Sequence, residues 1–380
     1  MRIVMIGNGV AATTAAATIR RYDTESSVTM LSDESTPFYS RPRLIEYLAG
    51  TANFEKIVIR DSAWYEKNNI ALLRGAKVDR VDSAHREVAG NFGTIAYDAL
   101  LIASGAAPAL PAFFVPGLED VFTLRTKSDA DAIIAEAARV GSATVIGGGL
   151  LGIETANALA ARGLAPTVVE YFDRLLPKQL DAEAAAILQS MLEAKGLRIL
   201  LGKTTISIAR ESGGVAARFA DGSSLSGGMA VVSAGVRPNI AFLRDSGLAL
   251  GRGIIVDKRM RTSVPDIYAA GDCAEFQGRL YGIWPAAKEQ GEVAGMSIAG
   301  QASEYRGSLM SARLKVAGID VASMGDIALS PKTRVESSRD GTSFRKLFYE
   351  GDLLKGAILI GAAVADQFRL QREMGLPDLR

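Results

Sequence analysis

Residues 143–170 read "ATVIGGGLLGIETANALAARGLAPTVVE". The opening run, ATVIG, has the length and β-branched character of a strand buried on both faces of a parallel sheet. The turn Gly147-Gly148-Gly149-Leu150-Leu151-Gly152 follows, then a helix from Leu151 to Arg162 that stops at Gly163, then a returning strand, APTVVE, that ends at Glu170. This is the glycine pattern of a dinucleotide-binding turn. Gly147 permits the tight bend, Gly149 lets backbone approach a pyrophosphate, and Gly152 lets the helix lie close to the strand, so that helix-start N–H groups face the phosphates. Glu170 lies 23 positions after Gly147, close to the roughly 20-residue spacing of the acid that binds a ribose 2′-OH. A carboxylate there repels a 2′-phosphate, which favours NADH over NADPH, while Arg174 in EYFDRLLP softens that preference. The alternative is a Rossmann-like unit kept only as scaffold.

The chain opens with the same outline, "MRIVMIGNGVAATTAAATIRRY", residues 1–22. RIVMIG is a strand, Gly7-Asn8-Gly9-Val10-Ala11-Ala12 is the G-x-G-x-x-A form of the turn, and an alanine-rich helix runs on to Arg21. Gly7 makes the bend, Gly9 admits the pyrophosphate, Ala12 allows close packing, and the helix start at Val10 and Ala11 offers free N–H groups. After the next strand, SSVTML, the strand-end position falls on Ser32 with Asp33 and Glu34 just beyond, and Glu34 is the candidate ribose acid. Two such sites imply two dinucleotides, one consumed as a substrate and one held as a prosthetic group that relays electrons.

Composition narrows the chemistry. At 380 residues the chain exceeds the size of one growing core, so two or three domains are expected. The hydrophobic share of 48% against 22% charged residues is that of an α/β enzyme. A net charge of +1, with no run of like charges, gathers neither nucleic acid nor anionic lipid. No apolar stretch reaches the roughly 20 residues of a membrane span, and a chain that enters directly into a strand reads as cytoplasmic. There is one cysteine, Cys273, and one histidine, His85. A dithiol relay needs a second thiol, and a zinc cluster or Ser/His triad needs more ligands or partners than these. His85, in the polar hairpin-like stretch VDSAHREVAG, reads as a solvated side chain.

"YDALLIASGAAPALP" (97–111) is an apolar strand running into Ala103-Ser104-Gly105, and "MAVVSAGVRPNIAF" (229–242) repeats the pattern with Ala234-Gly235. These look like matched crossover points, so that the second nucleotide unit is inserted into the first domain; taken alone they are also ordinary turn formers. "TSVPDIYAAGDCAEF" delivers Gly271-Asp272 at a strand end, where an acid reaches a ligand's hydroxyls without crowding, or where a surface turn simply ends. In "WPAAKEQGEVAGMSIAG" (284–300) a helix begins with Pro285 at its first turn, either beside a cofactor or merely packing an apolar stripe inward.

With both fingerprints, ASGAAP, SAGVRP and TSVPDIYAAGDCAEF in place, the chain resembles the FAD-dependent pyridine nucleotide-disulfide oxidoreductase superfamily over about residues 1 to 325. Within it, "PFYSRPRLIEYLAG" and "LKVAGIDVASMG" look most like NADH:rubredoxin reductases and the flavin part of NAD(P)H nitrite reductases. The resemblance implies an α/β fold with two Rossmann-like domains, one for FAD from 1–109 and 230–300, one for NAD from 110–229, and a small α+β C-terminal interface domain from 301–380. It gives the FAD pyrophosphate to Gly7, Gly9 and Ala12, the adenine to the Val78 backbone, and the ribityl chain to Asp272. Arg41 and Lys315 match cations near the flavin, and Glu154 matches an acid between flavin and nicotinamide; together they are the candidate catalytic set. A cation near the flavin favours its anionic reduced form, although Lys315 also reads as a plain surface lysine. Where disulfide and peroxide reductases of the superfamily carry a redox cysteine, this chain has Ser40-Arg41-Pro42, which removes those activities; Cys273 reads as a packed side chain. The C-terminal part is short for an interface domain, which leaves the mode of any homodimer open.

The expected reaction is hydride transfer from NADH to FAD and then electron transfer to a small redox protein such as rubredoxin or ferredoxin. The cofactor does the chemistry and the protein aligns it, which needs no catalytic thiol or histidine. Three competitors stand beside it: an electron-input subunit acting with iron–sulfur or haem partners, an NADH oxidase, and a signalling protein whose oligomeric state follows flavin reduction.

Overall fold

Five short runs, the central ones almost wholly buried, build a parallel sheet in the order Ile267–Ala269, Ala99–Ile102, Arg2–Ile6, Ser27–Ser32, Ile70–Arg74. The computed structural model describes residues 1–211, 213–308 and 312–375. Strand Arg2–Ile6 is buried from Ile3 onward, in one core with Ala11, Ala12 and Ala15 of the following helix and with Val81 and Val88, so its side chains need no polar alternation. Helix Val10–Tyr22 leaves directly from the glycine turn. Between the Ile70–Arg74 and Ala99–Ile102 strands the chain forms a three-stranded antiparallel sheet, Val78–Asp82, Glu87–Gly90 and Gly93–Ala96.

A second parallel sheet repeats that plan. Its order is Val121–Phe122, Met229–Val232, Ser142–Ile146, Ala165–Val169, Arg198–Leu200, and helix Leu150–Ala161 leaves from the second glycine turn. Again an antiparallel sheet, Thr205–Glu211, Gly214–Phe219 and Ser224–Gly227, precedes the strand that returns beside the first. The backbone ends match as well. Gly7 N–H donates to Leu31 O and Gly147 N–H to Val169 O, each at 2.8 Å.

By internal contacts the chain divides into two units. The first is Met1–Arg41, Phe54–Ala107 and Val236–Ser308; the second is Pro42–Asn53, Pro108–Gly235 and Leu309–Arg380. Helix Leu44–Ala49, which the sequence reading keeps with the first domain, therefore packs in the second unit. The reason is specific: Arg162 at the end of helix Leu150–Ala161 donates to the Leu48 and Tyr47 carbonyls, and the Tyr47 hydroxyl donates to Asp131 at 2.7 Å. A long side chain thus supplies donors to the orphan carbonyls of a short helix.

The C-terminal segment also lies in the second unit. It is a five-stranded antiparallel sheet, ordered Ala312–Val316, Ile319–Gly325, Leu353–Ile360, Ser343–Glu350, Thr333–Asp340, followed by helix Gln367–Glu373. One face buries Ala322, Met324, Leu347, Leu359 and Leu370. Lys346 from this sheet pairs with Asp181 at 2.6 Å and Glu183 at 2.7 Å. Among the described residues, no helix is long and apolar enough to cross a membrane.

Candidate functional site

The first glycine turn is shaped by steric necessity. Gly7 has φ +112°, and a Cβ there would stand 2.2 Å from the Ala103 carbonyl oxygen, so only glycine fits. Gly9 is different. It is the N-cap of helix Val10–Tyr22, offers no side-chain cap, and has nothing within 4 Å of where a Cβ would be. The N–H groups at Val10, Ala11 and Ala12 thus begin a helix with open space before them, while Ala11 and Ala12 pack inward. A pyrophosphate fits that cradle by shape and by sign of charge.

Around it, Ala103 N–H donates to Ile6 O at 2.8 Å, and Ser104 Oγ donates to Asn239 O at 2.8 Å. Gly105 follows with φ +68°. Val78 opens the antiparallel strand Val78–Asp82, opposite Gly90. The Glu34 carboxylate is held by Arg41 Nη2 at 2.6 Å and by the Tyr39 hydroxyl at 2.7 Å. Burial works against the Arg41 charge, yet Glu34 and Tyr39 beside it raise its pKa above the ordinary value. The structure therefore joins two residues that the sequence reading used separately, and Tyr39 is a third that it missed.

Gly271, φ +86°, precedes the half-buried Asp272 and donates its N–H to Gln290 Oε1 at 2.8 Å. Cys273 is fully buried, with its thiol directed to the Ile102 and Ala270 carbonyls at 3.4 Å; burial pushes its pKa up. It packs and does not react. Helix Trp284–Ile298 lies on helix Val10–Tyr22 through Gly291 and Gly295, whose added Cβ atoms would be 2.3 Å from Ala11 O and 2.6 Å from Ala15 O. The G-x-x-x-G spacing in QGEVAG is the sequence signal for that close approach. Phe38 stacks on Trp284 with ring centroids 5.8 Å apart. His85 is exposed, in a turn beside Asp82.

The second turn has the same construction. Gly147, φ +124°, would place a Cβ 2.2 Å from Ser233 O, and Gly152 would place one 1.9 Å from Gly147 O. Gly149 caps helix Leu150–Ala161 without a side chain and faces open space, with Leu151 exposed at the next turn. Glu170 is buried; Oε2 accepts from Gly148 N–H and Oε1 from Phe172 N–H at 2.8 Å. The acid is thus fixed against the glycine turn by two backbone donors. Arg174 pairs with Asp173 at 2.7 Å. Gly235, φ +93°, again has open space around it.

Glu154, half-buried on the same helix, accepts from Ala317 N–H at 2.9 Å. Burial raises its carboxyl above the usual range, against the opposing effect of that hydrogen bond. Ala317 and Gly318, with φ +49° and +80°, make the two-residue turn between strands Ala312–Val316 and Ile319–Gly325. Lys315, exposed, stands two residues before Ala317. The fold thereby brings the acid and the lysine of the candidate catalytic set to one hairpin.

The chain thus carries two uncapped, glycine-shaped turns. The family model for pyridine nucleotide-disulphide oxidoreductases matches residues 1–291. The chain belongs to that family. A second model, the rubredoxin NAD+ reductase C-terminal domain, matches residues 311–366. Among family members, an assimilatory nitrate reductase electron transfer subunit from Bacillus subtilis (strain 168) is 37% identical over 95% of this chain and 47% of its own length. An NADH-rubredoxin oxidoreductase from Clostridium acetobutylicum is 33% identical over 95% of this chain and 91% of its own. The crystal structure of NADH:rubredoxin oxidoreductase from Clostridium acetobutylicum superposes with a TM-score of 0.85 at 31% identity, covering 98% of this chain and 94% of that one. The chain spans about half the length of the first of these relatives.

Proposed function

We propose that the chain is an FAD-dependent NADH oxidoreductase that passes electrons to a small redox protein such as rubredoxin or ferredoxin. One observation carries this reading: the chain holds two open helix-start cradles, and among the described residues the second alone is backed by a buried carboxylate, Glu170, locked to its own glycine turn. FAD, when bound, supplies a centre that takes two electrons as hydride from NADH and returns them singly to a one-electron acceptor.

The chain's own residues then bind and align. Gly7, Gly9, Val10, Ala11 and Ala12 hold the FAD pyrophosphate, Glu34 a ribose, Val78 the adenine, and Asp272 the ribityl hydroxyls, with Ala103, Ser104 and Gly105 lining the same turn. Gly147, Gly149, Leu150, Leu151 and Gly152 hold the NADH pyrophosphate, Glu170 its adenosine ribose, and Gly235 leaves room beside them. Glu154 serves the nicotinamide end. Lys315 is the cation that favours a reduced, negatively charged cofactor, while Arg41, ion-paired to Glu34 at 2.6 Å, stands with the ribose acid, its charge balanced there, which corrects its expected place beside the flavin.

Anaerobic titration tests the assignment. NADH should bleach a flavin spectrum at much lower concentration than NADPH, and rubredoxin or ferredoxin should restore it. Folded protein that is colourless and takes up no FAD would end the proposal. The second reading, an electron-input module within a larger reductase, is favoured by one fact: the chain is 37% identical, over 95% of its length, to an assimilatory nitrate reductase electron transfer subunit. Stoichiometric copurification with iron–sulfur or haem subunits, and slow turnover alone, would select it.

A further inference from the structure

The geometry points to Gln290 as the positioning residue of the FAD site, acting through the Gly271 N–H on the Asp272 carboxylate. This rests on the proposed FAD reading. Gln290 is 1% exposed, and a glutamine so deep in a helix has no solvent role. Its Oε1 accepts the Gly271 N–H at 2.8 Å. That N–H lies just past the end of strand Ile267–Ala269, where the last ladder bond is Ala270 N–H to Ile102 O at 3.1 Å. The backbone has turned away from the sheet at Gly271, so its donor needs an acceptor from elsewhere. Gln290 supplies it.

Three elements meet at this point, all in the first unit. An added Cβ on Gly271 would be 3.1 Å from Ala11 Cβ and 3.8 Å from Ala287 Cβ, and one on Gly291 would be 2.3 Å from Ala11 O. Helix Trp284–Ile298 therefore touches the phosphate-binding helix through Gly291 and, one residue earlier, holds the Gly271-Asp272 turn through Gln290. One rigid rod sets the spacing between the pyrophosphate cradle and the acid assigned to the ribityl chain. An apolar residue of the same size would fill the space but leave that turn without its tether.

The test compares Q290M with Q290E, which keeps an oxygen facing the Gly271 N–H. FAD affinity is read by the fluorescence of released flavin, its setting by visible circular dichroism, and the fold by thermal unfolding of both apoproteins. Q290M is expected to unfold within a few degrees of wild-type apoprotein yet to hold FAD at least tenfold more weakly with an altered dichroic band, while Q290E stays within about threefold. FAD bound by Q290M as tightly as by wild type, or equal losses in both variants, would overturn the inference. Should Q290M fail to fold, amide exchange at Gly271 in the wild-type apoprotein decides: slow exchange supports the tether and fast exchange refutes it. Failure of wild type itself to bind FAD would instead sink the proposed function.

Discussion

Glu154 Oε1 accepts a 2.9 Å hydrogen bond from the Ala317 amide, 163 residues further along the chain. A carboxylate on helix Leu150–Ala161 thus holds the tip of the C-terminal hairpin that carries Lys315. Removing the acceptor should loosen that tip. In E154A the Ala317 amide should exchange faster, stability should fall by about 1 kcal/mol, and NADH-driven flavin reduction should slow at least tenfold, read by stopped-flow absorbance. Unchanged exchange at Ala317 would refute the latch.

The same carboxyl has a pH signature. Burial lifts its folded pKa above the ordinary 4.5, so the protein binds this proton more tightly folded than unfolded. Its contribution is present below the unfolded pKa and is lost as pH rises through the folded one. E154Q keeps an oxygen for Ala317 but cannot ionise. Denaturant melts across pH 4 to 8 should therefore show E154Q gaining on wild type as pH rises; a constant difference would contradict the assignment.

Glu170 should set cofactor preference. E170A leaves the Gly148 and Phe172 amides without their acceptor and removes the group that repels a 2′-phosphate. The NADH KM should rise at least tenfold, which is about 1.4 kcal/mol, and the NADH/NADPH ratio should narrow. Steady-state kinetics with both cofactors measures this, and an unchanged ratio rejects the role.

The glycines of each turn separate folding from binding. G147A forces a Cβ to within 2.2 Å of backbone at φ +124°, and should destabilise the fold by about 2 kcal/mol or more. G149A puts a methyl into open space at φ −76°. It should melt like wild type yet bind NADH at least tenfold more weakly, because the methyl stands where the phosphates approach. Equal loss of stability in both variants would rule this out.

Cys273 gives a simple control. Its thiol is fully buried and its pKa raised by that burial, so the thiolate that reacts is scarce and inaccessible. Ellman's reagent should find no thiol in native protein and one after unfolding. Rapid native labelling with loss of turnover would bring thiol chemistry back.

Much of the candidate site was legible in the linear chain. Strand, glycine turn, helix and returning strand are local, and the requirement for glycine at Gly7 or Gly147 is a steric rule acting across a few residues. His85 and Cys273 were likewise readable from their neighbours. What escaped were contacts between segments far apart: Tyr39 and Arg41 gathering on Glu34, Gln290 on Gly271, and Gly291 against Ala11. Their residue types were visible, but nothing in the local pattern says which donor a buried amide will meet.

The amino-acid order alone determined that there are two strand–glycine turn–helix units and that the strand returning after the second ends in an acid, because backbone bends and helix starts depend on short-range sterics and hydrogen-bonding supply. Only the tertiary structure decided that helix Leu44–Ala49 packs with the second unit and that Glu154 meets the hairpin of Lys315. Those outcomes depend on which helix faces bury together, and a buried polar group finds its partner only after that packing has brought distant segments within hydrogen-bond reach.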